Sequence, residues 1–378
     1  MKKNQCGVIF LVACSAGFAH AQSSVKVWGR VGGGVEVLNN IGDPATGTSK
    51  RRIAEGSQWG TSILGFDGRE DLGGGAAVLF SLESAIAADT GAFGGGKPFQ
   101  RAAWIAYKSD WGMVRLGQGN FINNYIWSFD PFLLEDYSAS TFTSYRNGSK
   151  LANGIRYESP SWNGFEFAGQ LNLGESPDGF KRGPADSVVG NGTAYGFSGA
   201  YKNGNFEIRG IYDRIYSKDG KLDQLFGNGS QEVFLGAKYK WDNTTLQSGV
   251  ARYTAPDSAQ NISRAATHAW VGVQHRPSFA PNLNLQAAIY RMKVGAGEWT
   301  KDHAGEGTGT MLSLGAMYNL SKRTFLYTNL SHVRNSSFAN FSVRPTGPGY
   351  GDPITGNGTS PLAGRSQTGM FAGMMHNF

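Results

Sequence analysis

Apolar and polar residues alternate one by one through residues 25–37 of this chain. The odd positions hold five valines and two glycines, and the even positions include Lys26, Trp28, Arg30 and Glu36. Such alternation places the valines on one face of a β-strand, and 13 residues exceed the length of an ordinary globular strand. The same pattern returns at 282–292 and 310–318. These segments predict long strands with one apolar and one polar face.

The connections between the predicted strands fall into two length classes. Short ones, with the Gly, Asn, Asp and Pro that turns require, lie at 71–75, 109–112, 159–164, 202–205, 241–243, 276–281 and 320–323. Long polar ones lie at 38–60, 87–98, 119–152, 174–192, 215–230, 254–266, 293–309 and 335–365. Seven short turns and eight long loops join sixteen strands in one domain. A β-sandwich would also alternate, but several of these loops exceed what a compact soluble domain tolerates.

Composition is consistent with a chain that crosses a membrane as strands. Mean hydropathy is −0.32, 17% of the residues are charged, and no apolar run is long enough for a membrane helix. A β-barrel shows lipid only every second residue, so it can look polar on average. The sequence therefore predicts an all-β fold, a 16-stranded antiparallel transmembrane barrel with short periplasmic turns and long extracellular loops.

Residues 1–21 have the layout of a secretory signal peptide. A basic start precedes an apolar run, and Ala19-His20-Ala21 fits the small-x-small cleavage rule. We therefore expect a mature chain, 22–378, that contains neither cysteine and keeps 33 basic and 28 acidic residues, a net charge of +5. One alternative is open at Cys14, where Leu-Val-Ala-Cys resembles a lipobox and would give a lipid-anchored surface or adhesion protein.

Motifs of soluble enzymes do not occur in the sequence. It has no His-Glu-x-x-His pair, no Gly-x-Ser-x-Gly elbow and no Gly-Lys-Ser/Thr phosphate loop. The adjacent carboxylates at Glu70-Asp71 and Glu135-Asp136 would point to opposite faces of a strand, so neither pair forms an acid/base dyad by spacing alone. We expect no catalytic activity, no cofactor or metal site and no nucleic-acid partner.

Seven short segments carry a resemblance to a known family. The longest is Ser62-Ile-Leu-Gly-Phe-Asp-Gly-Arg-Glu-Asp-Leu-Gly-Gly-Gly75. The others lie at 78–83, 100–107, 111–118, 153–160, 318–324 and 376–378. Together they resemble the Gram-negative general porins, particularly the trimeric porins of β-proteobacteria, from Ser23 to Phe378. The resemblance implies a water-filled, homotrimeric barrel in the outer membrane, surrounded by lipid, whose third loop folds inward to narrow the pore.

The resemblance also implies a pore constriction built from six charged residues. It makes 119–152 the inward-folded loop. The acidic residues of that loop would be Asp130, Glu135 and Asp136, and the basic residues of the facing wall would be Arg30, Arg101 and Arg156. For Arg30 the alternation agrees independently, because a charge opposite the valine face must face the lumen.

Two positions depart from the family pattern. Ile63 and Asp67 stand where family members usually carry basic residues, which weakens the anion preference that the resemblance implies. The leading hypothesis is a channel for passive diffusion of ions and small hydrophilic solutes, anions included, with weak to moderate anion selectivity. One alternative is a solute-specific channel with an aromatic binding track. Another is an outer-membrane hydrolase on a smaller barrel, which the strand count disfavours.

Overall fold

The computed structural model describes residues 24–43, 46–55, 58–133, 135–173, 193–217, 219–226, 229–259, 263–295, 298–300, 303–304, 307–344 and 359–378. The predicted signal peptide lies outside these ranges. The strands are β1 Ser24–Asp43, β2 Thr48–Glu55, β3 Ser62–Gly73, β4 Ala76–Ile86, β5 Ala102–Ser109, β6 Gly112–Asn120, β7 Lys150–Glu158, β8 Phe165–Leu173, β9 Thr193–Asn203, β10 Phe206–Ile215, β11 Ser230–Trp241, β12 Thr244–Thr254, β13 Ala265–His275, β14 Leu283–Val294, β15 Glu298–Thr300, β16 His303–Ala304, β17 Gly307–Asn319, β18 Thr324–Asn335 and β19 Gln367–Asn377.

Short helices occur only in the connections among the residues described. Four 3₁₀ helices occupy Gly94–Gly96, Ile122–Phe129, Ala139–Thr143 and Arg146–Gly148. Within the described ranges, no helix is long and apolar enough to cross a membrane.

Sixteen of the strands, all except β2, β15 and β16, form a closed antiparallel barrel. Each pairs with its neighbours in chain order, and β1 closes the ring by pairing with β19, from Arg30 opposite Asn377 to Leu38 opposite Gly369. Seven short turns alternate with eight long connections, as the sequence predicts. The predicted fold class is therefore confirmed.

The first barrel strand is longer than its alternation indicates. Ser24–Arg30 pairs with β3, whereas the upper part, Val35–Asp43, pairs with β2. The sequence does not predict β2, because its residues lack an alternating apolar face. This strand and the β15–β16 hairpin are the additions that the described residues make to the predicted strand set.

Alternation along the strands separates the two faces of the wall. On β1, Val25, Val27, Val31 and Val35 are 47–68% exposed on the outside, whereas Glu36 is fully buried on the inside. Leu312 and Leu314 on β17 are likewise exposed on the outer face. The exposed apolar rows are the surface that the acyl chains of a membrane cover.

The last residue seals the seam where the barrel closes. The Phe378 N–H donates to the Gly29 carbonyl oxygen (2.9 Å) and the Gly29 N–H donates to the Phe378 carbonyl oxygen (3.1 Å). The Phe378 ring also occupies the space beside Gly29, since a Cβ there would lie 2.5 Å from the ring. The ring therefore covers the β1–β19 junction from the membrane side.

Deleting Phe378 should lower the yield of folded barrel without affecting export. The deletion removes two backbone hydrogen bonds of about 1 kcal/mol each and part of an aromatic side chain, for which burial contributes roughly 1–2 kcal/mol. Heat-modifiable mobility after folding into lipid vesicles measures the yield, with Phe378→Leu as the control that keeps the backbone bonds. An unchanged yield for the deletion would contradict this role.

Candidate functional site

Residues 121–149, here called the constriction loop, fold into the barrel and lie against its inner wall. Inward-pointing amide and indole groups of the wall donate hydrogen bonds to carbonyl oxygens of the loop. They are Gln247 to Ser128 (3.0 Å), Trp270 to Phe129 (2.7 Å), and Gln274 and Gln286 to Pro131 (2.6 and 2.7 Å). The donors come from β12, β13 and β14. The loop therefore follows the inside of the wall rather than lying above the barrel.

Glycines on the inner wall make room for the side chains of the constriction loop. A Cβ on Gly272 would lie 2.5 Å from Pro131, and one on Gly315 would lie 2.6 Å from the Phe132 ring. Gly236 faces Phe129 and Gly369 faces Tyr137 in the same way. Any larger residue at these positions would occupy space that the loop fills. The wall is thus shaped to the loop over β11, β13, β17 and β19.

The three acidic residues that the sequence singles out are buried, and two of them, Asp130 and Glu135, point from the constriction loop to the wall. Asp130 accepts from the Tyr290 hydroxyl (2.6 Å) and from the Ala139 backbone N–H (2.7 Å). Glu135 accepts from the amides of Gln286 (3.0 Å) and Asn329. Their residues are 2% exposed, and Asp136 is 7% exposed.

This placement corrects the expectation that Asp130, Glu135 and Asp136 line the open pore. Asp130 and Glu135 accept hydrogen bonds from the wall, whereas Asp136 accepts from Tyr145 of the loop and pairs with Arg344 of the last long connection. A buried carboxylate without such partners would be costly. Burial raises the pKa of Asp130 and Asp136, and it raises the pKa of Glu135 to about 7 even though two amides stabilise its charged form. The three groups act as anchors of the loop.

Arg146 anchors the carboxy-terminal end of the constriction loop. Its side chain is fully buried and forms ion pairs with Asp213 on β10 (2.6 Å) and with Glu232 on β11. It also donates to the Ser230 hydroxyl (2.7 Å) and the Ser230 carbonyl oxygen (3.0 Å). A buried cation with two anions and two neutral acceptors leaves few donor groups unsatisfied. The sequence analysis missed this cluster, although Asp213 stands on the lumen face of its strand.

Arg344 joins the last long connection to the constriction loop. Its guanidinium pairs with Asp136 (2.8 Å) and with Glu36 on β1 (3.1 Å), and the Tyr137 hydroxyl donates to the same Glu36 (2.9 Å). Phe341, from the same connection, packs on Phe142 with ring centroids 5.0 Å apart. Two loops therefore enter the barrel and are tied together there. The sequence analysis overlooked Glu36, which shares the parity of Arg30.

Two of the predicted basic residues meet on the wall beside β1. Arg30 donates through Nε to the Thr61 carbonyl oxygen (2.7 Å), and Arg101 donates to the Thr61 hydroxyl (3.4 Å). Arg101 also pairs with Glu83. The structure thus brings Arg30 and Arg101 together, on elements that the sequence separates by about seventy residues.

The third predicted arginine belongs to a second cationic cluster. Arg156 on β7 and Arg209 on β10 both lie over the ring of Tyr125, with their guanidinium carbons 4.8 and 4.0 Å from its centroid. Arg156 pairs with Glu158 (2.6 Å) and Arg209 pairs with Glu166 (3.2 Å). Arg209 was not predicted, although it occupies the lumen face of an alternating strand. Tyr125 lies near the beginning of the constriction loop, so this end of the loop packs against the second cationic cluster.

The site has the features of a selective passage. In the part of the chain that the structure describes, no group of three or more His, Cys, Asp or Glu is placed to hold a metal ion. Phe129, Phe132 and Phe142 have no exposed surface, so these rings do not form an aromatic track for a solute. Fixed charges on the wall and the bulk of the loop remain, and these two properties determine which solutes pass a pore.

A closed 16-stranded barrel with an inward-folded loop defines the class of transmembrane β-barrel channels. The family model described as Gram-negative porin matches residues 7–337, and the chain belongs to this family. The outer membrane porin protein 32 of Delftia acidovorans is 29% identical over the full length of both chains. An outer membrane porin of Bordetella pertussis is 26% identical over 87% of this chain and 93% of its own.

Solved structures show the same architecture. The anion-selective porin from Comamonas acidovorans is 25% identical, has a TM-score of 0.73, and is matched over 94% of this chain and 100% of its own. The OmpF of Salmonella typhi, 16% identical with a TM-score of 0.63 over 94% of this chain and 97% of its own, supports the fold alone. The protein is an outer-membrane porin, a water-filled channel for the passive diffusion of small hydrophilic solutes and ions.

Proposed function

We propose that this channel prefers anions, and that Arg30, Arg101 and Arg156 set the preference together with Arg209. The observation that carries the proposal is the arrangement of charge around the constriction loop. The cations cluster on the wall at Thr61 and at Tyr125. Asp130 and Glu135 of the loop are buried and held by the opposite part of the wall, and Asp136 is paired with Arg344.

The acidic residues beside these cations reduce the preference without abolishing it. Glu83, Glu158 and Glu166 each pair with an arginine. Arg30 and Arg101 are partly exposed, so an anion can meet their guanidinium groups directly. Arg156 and Arg209 are only 4% exposed at Tyr125, so they act on a passing anion through their electric field. The similar porin from Comamonas acidovorans is described as anion-selective, which supports the same direction of selectivity here.

Arg101→Gln and Arg156→Gln should each move the reversal potential in a salt gradient towards cation selectivity. At about 5 Å in a water-filled pore, one unit charge contributes about 0.8 kcal/mol, which corresponds to a roughly fourfold fall in anion permeability. Arg276→Gln, on an exposed periplasmic turn, is the matched control. Asp136→Asn should change selectivity less than Arg101→Gln, because the Asp136 carboxylate is buried and its charge is paired with Arg344. Equal reversal potentials for the wild type and both arginine variants would overturn the proposal.

We also propose that residues 1–21 are removed on export and that residues 22–378 assemble as a homotrimer. Membership of the porin family supports the oligomer, and the Ala19-His20-Ala21 motif supports the cleavage site. Unheated protein should migrate in detergent gels far above the mass of a single chain and shift to the monomer position on boiling. Intact mass should show Gln22 as the first residue. A single unheated monomer band would contradict the trimer, and an acylated Cys14 would contradict the cleavage site.

A further inference from the structure

The sulfur of Met317 holds a tryptophan that lies beside the constriction. Met317 is on β17, and its side chain shares the inner face of the wall with Met311 and Gly315. The Trp59 indole N–H, from the segment between β2 and β3, donates to this sulfur, with Nε1 and Sδ 3.4 Å apart. A thioether is a weak acceptor, and sulfur–aromatic contacts are favourable. Met317 therefore positions the Trp59 ring from the side of the wall.

Trp59 packs on two strands of the wall and on a cation of the constriction. Its ring lies edge-on to the Phe325 ring of β18, with centroids 4.7 Å apart. The Arg30 guanidinium carbon, from β1, is 5.4 Å from the centroid of the same indole. Met317 and Phe325 belong to neighbouring strands, whereas Arg30 lies beyond β19. An atom added to the Met317 sulfur would therefore push the indole away from β17 and into the lumen.

The segment that carries Trp59 is tied to two parts of the constriction. The backbone N–H of Asp136, in the constriction loop, donates to the Gln58 carbonyl oxygen (2.8 Å). Arg30 donates through Nε to the Thr61 carbonyl oxygen (2.7 Å). Both acceptors lie within two residues of Trp59. A displacement of Trp59 is therefore transmitted to the constriction loop and to Arg30.

Met317 is open to small solutes in the lumen, whereas neighbouring methionines of the inner wall are not. Met317 is partly exposed, but Met311 on the same strand and Met292 on β14 have no exposed surface. Methionine oxidation requires access of the oxidant to the sulfur. Met113, on the inner face of β6 opposite Glu158, is also partly exposed and offers a comparison on another part of the wall.

We infer that Met317 is an oxidation site through which hydrogen peroxide lowers the conductance of the channel. A lone pair of the sulfur attacks one peroxide oxygen, and the S–O bond forms as the O–O bond breaks. The proton of the transferred oxygen passes to the departing hydroxide, which leaves as water. The sulfur is thus oxidised by two electrons to the sulfoxide, and the peroxide is reduced. The new oxygen, a stronger acceptor than sulfur, takes over the Trp59 N–H and moves the indole into the lumen.

The test treats the purified, detergent-solubilised protein with hydrogen peroxide, followed by peptide mass mapping and planar-bilayer recording. One added oxygen should appear on Met317 before it appears on the buried Met311, and the main conductance level should fall. M317L conserves the side-chain volume and should keep one conductance level before and after peroxide. M113L removes a lumen-facing methionine of another strand, so it should respond to peroxide as the wild type does.

Two further variants separate the role of Trp59 from a general effect of oxidation. M317Q offers the indole N–H a carbonyl oxygen and should show the lower conductance without peroxide. W59F removes the N–H and part of the ring, which leaves room for the sulfoxide, so oxidation of Met317 should no longer lower the conductance. Oxidation of Met311 ahead of Met317, an unchanged wild-type conductance once Met317 carries the oxygen, or an equal fall in M317L or W59F would each overturn the inference.

Discussion

Replacing Arg146 by methionine should release the end of the constriction loop from the barrel wall. The substitution keeps most of the side-chain volume but leaves Asp213 and Glu232 buried without their cation. Breaking a buried ion pair from one side typically costs about 3–5 kcal/mol. The β-ladders around the wall do not involve Arg146, so the barrel should still form while the loop samples undocked positions.

Hydrogen–deuterium exchange over residues 121–149 measures the release, and planar-bilayer recording should show more frequent transient closures. Arg365→Met, at an exposed arginine, is the matched control. Arg146→Met combined with Asp213→Asn and Glu232→Gln should recover part of the protection, because it removes the unpaired charges. Wild-type exchange in the single Arg146→Met variant would show that the loop is held elsewhere.

Gly315→Val should push the middle of the constriction loop off the wall. A Cβ at this position lies 2.6 Å from both the Phe132 ring and the Asn329 side-chain oxygen, and 2.9 Å from the Gln286 side-chain oxygen. Overpacking of this kind typically costs about 1–3 kcal/mol. The amides of Asn329 and Gln286 also hold Glu135, so the same substitution disturbs two contacts of the loop at once.

Single-channel conductance is the readout for Gly315→Val, and we expect a different main level and a noisier open state. Gly210→Val is the matched control. It adds the same side chain to the outer face of a barrel strand, where the nearest atom to a new Cβ is the Phe234 carbonyl oxygen at 3.9 Å. Identical conductance for both glycine variants would contradict the proposed fit between loop and wall.

The strands could be predicted because a barrel wall has a two-residue period that the sequence displays directly. The valines of β1 and the leucines of β17 are outside, and the residues of opposite parity are inside. Turn residues located every short connection, and loop length distinguished the two ends of the barrel. Each of these signals is local, so no knowledge of distant contacts was required.

The constriction loop could be located but not oriented from the sequence. Its backbone has no repeating period, so nothing in the sequence indicates whether Asp130 or Glu135 faces the lumen or the wall. Three of its residues, Tyr137, Ser144 and Tyr145, adopt left-handed backbone conformations that residues other than glycine rarely take. Such turns are imposed by tertiary contacts, and they decide the direction of each side chain.

The sequence indicates in part which residues of the wall contact the constriction loop. Glu36, Asp213 and Arg209 are charged residues on the lumen face of alternating strands, which marks them as lining the interior. Their pairing with Arg344, Arg146 and Tyr125 depends on how two long loops fold into the barrel. The paired residues are far apart in the sequence. The separation is 67 positions for Arg146 and Asp213, 84 for Tyr125 and Arg209, and 308 for Glu36 and Arg344.

The wall contacts of the constriction loop determine when, during assembly of the barrel, the loop can dock. The loop belongs to the first half of the chain, but most of its docking partners lie on strands that follow it, from β7 to β19, and on the last long connection. An insertion intermediate that contains only the early strands offers the loop Glu36 on β1 but lacks most of the surface that receives it. The channel therefore acquires its final aperture late, after the last strand has paired with the first. In a half-assembled barrel, permeation is controlled by the open seam between strands and not by the constriction loop.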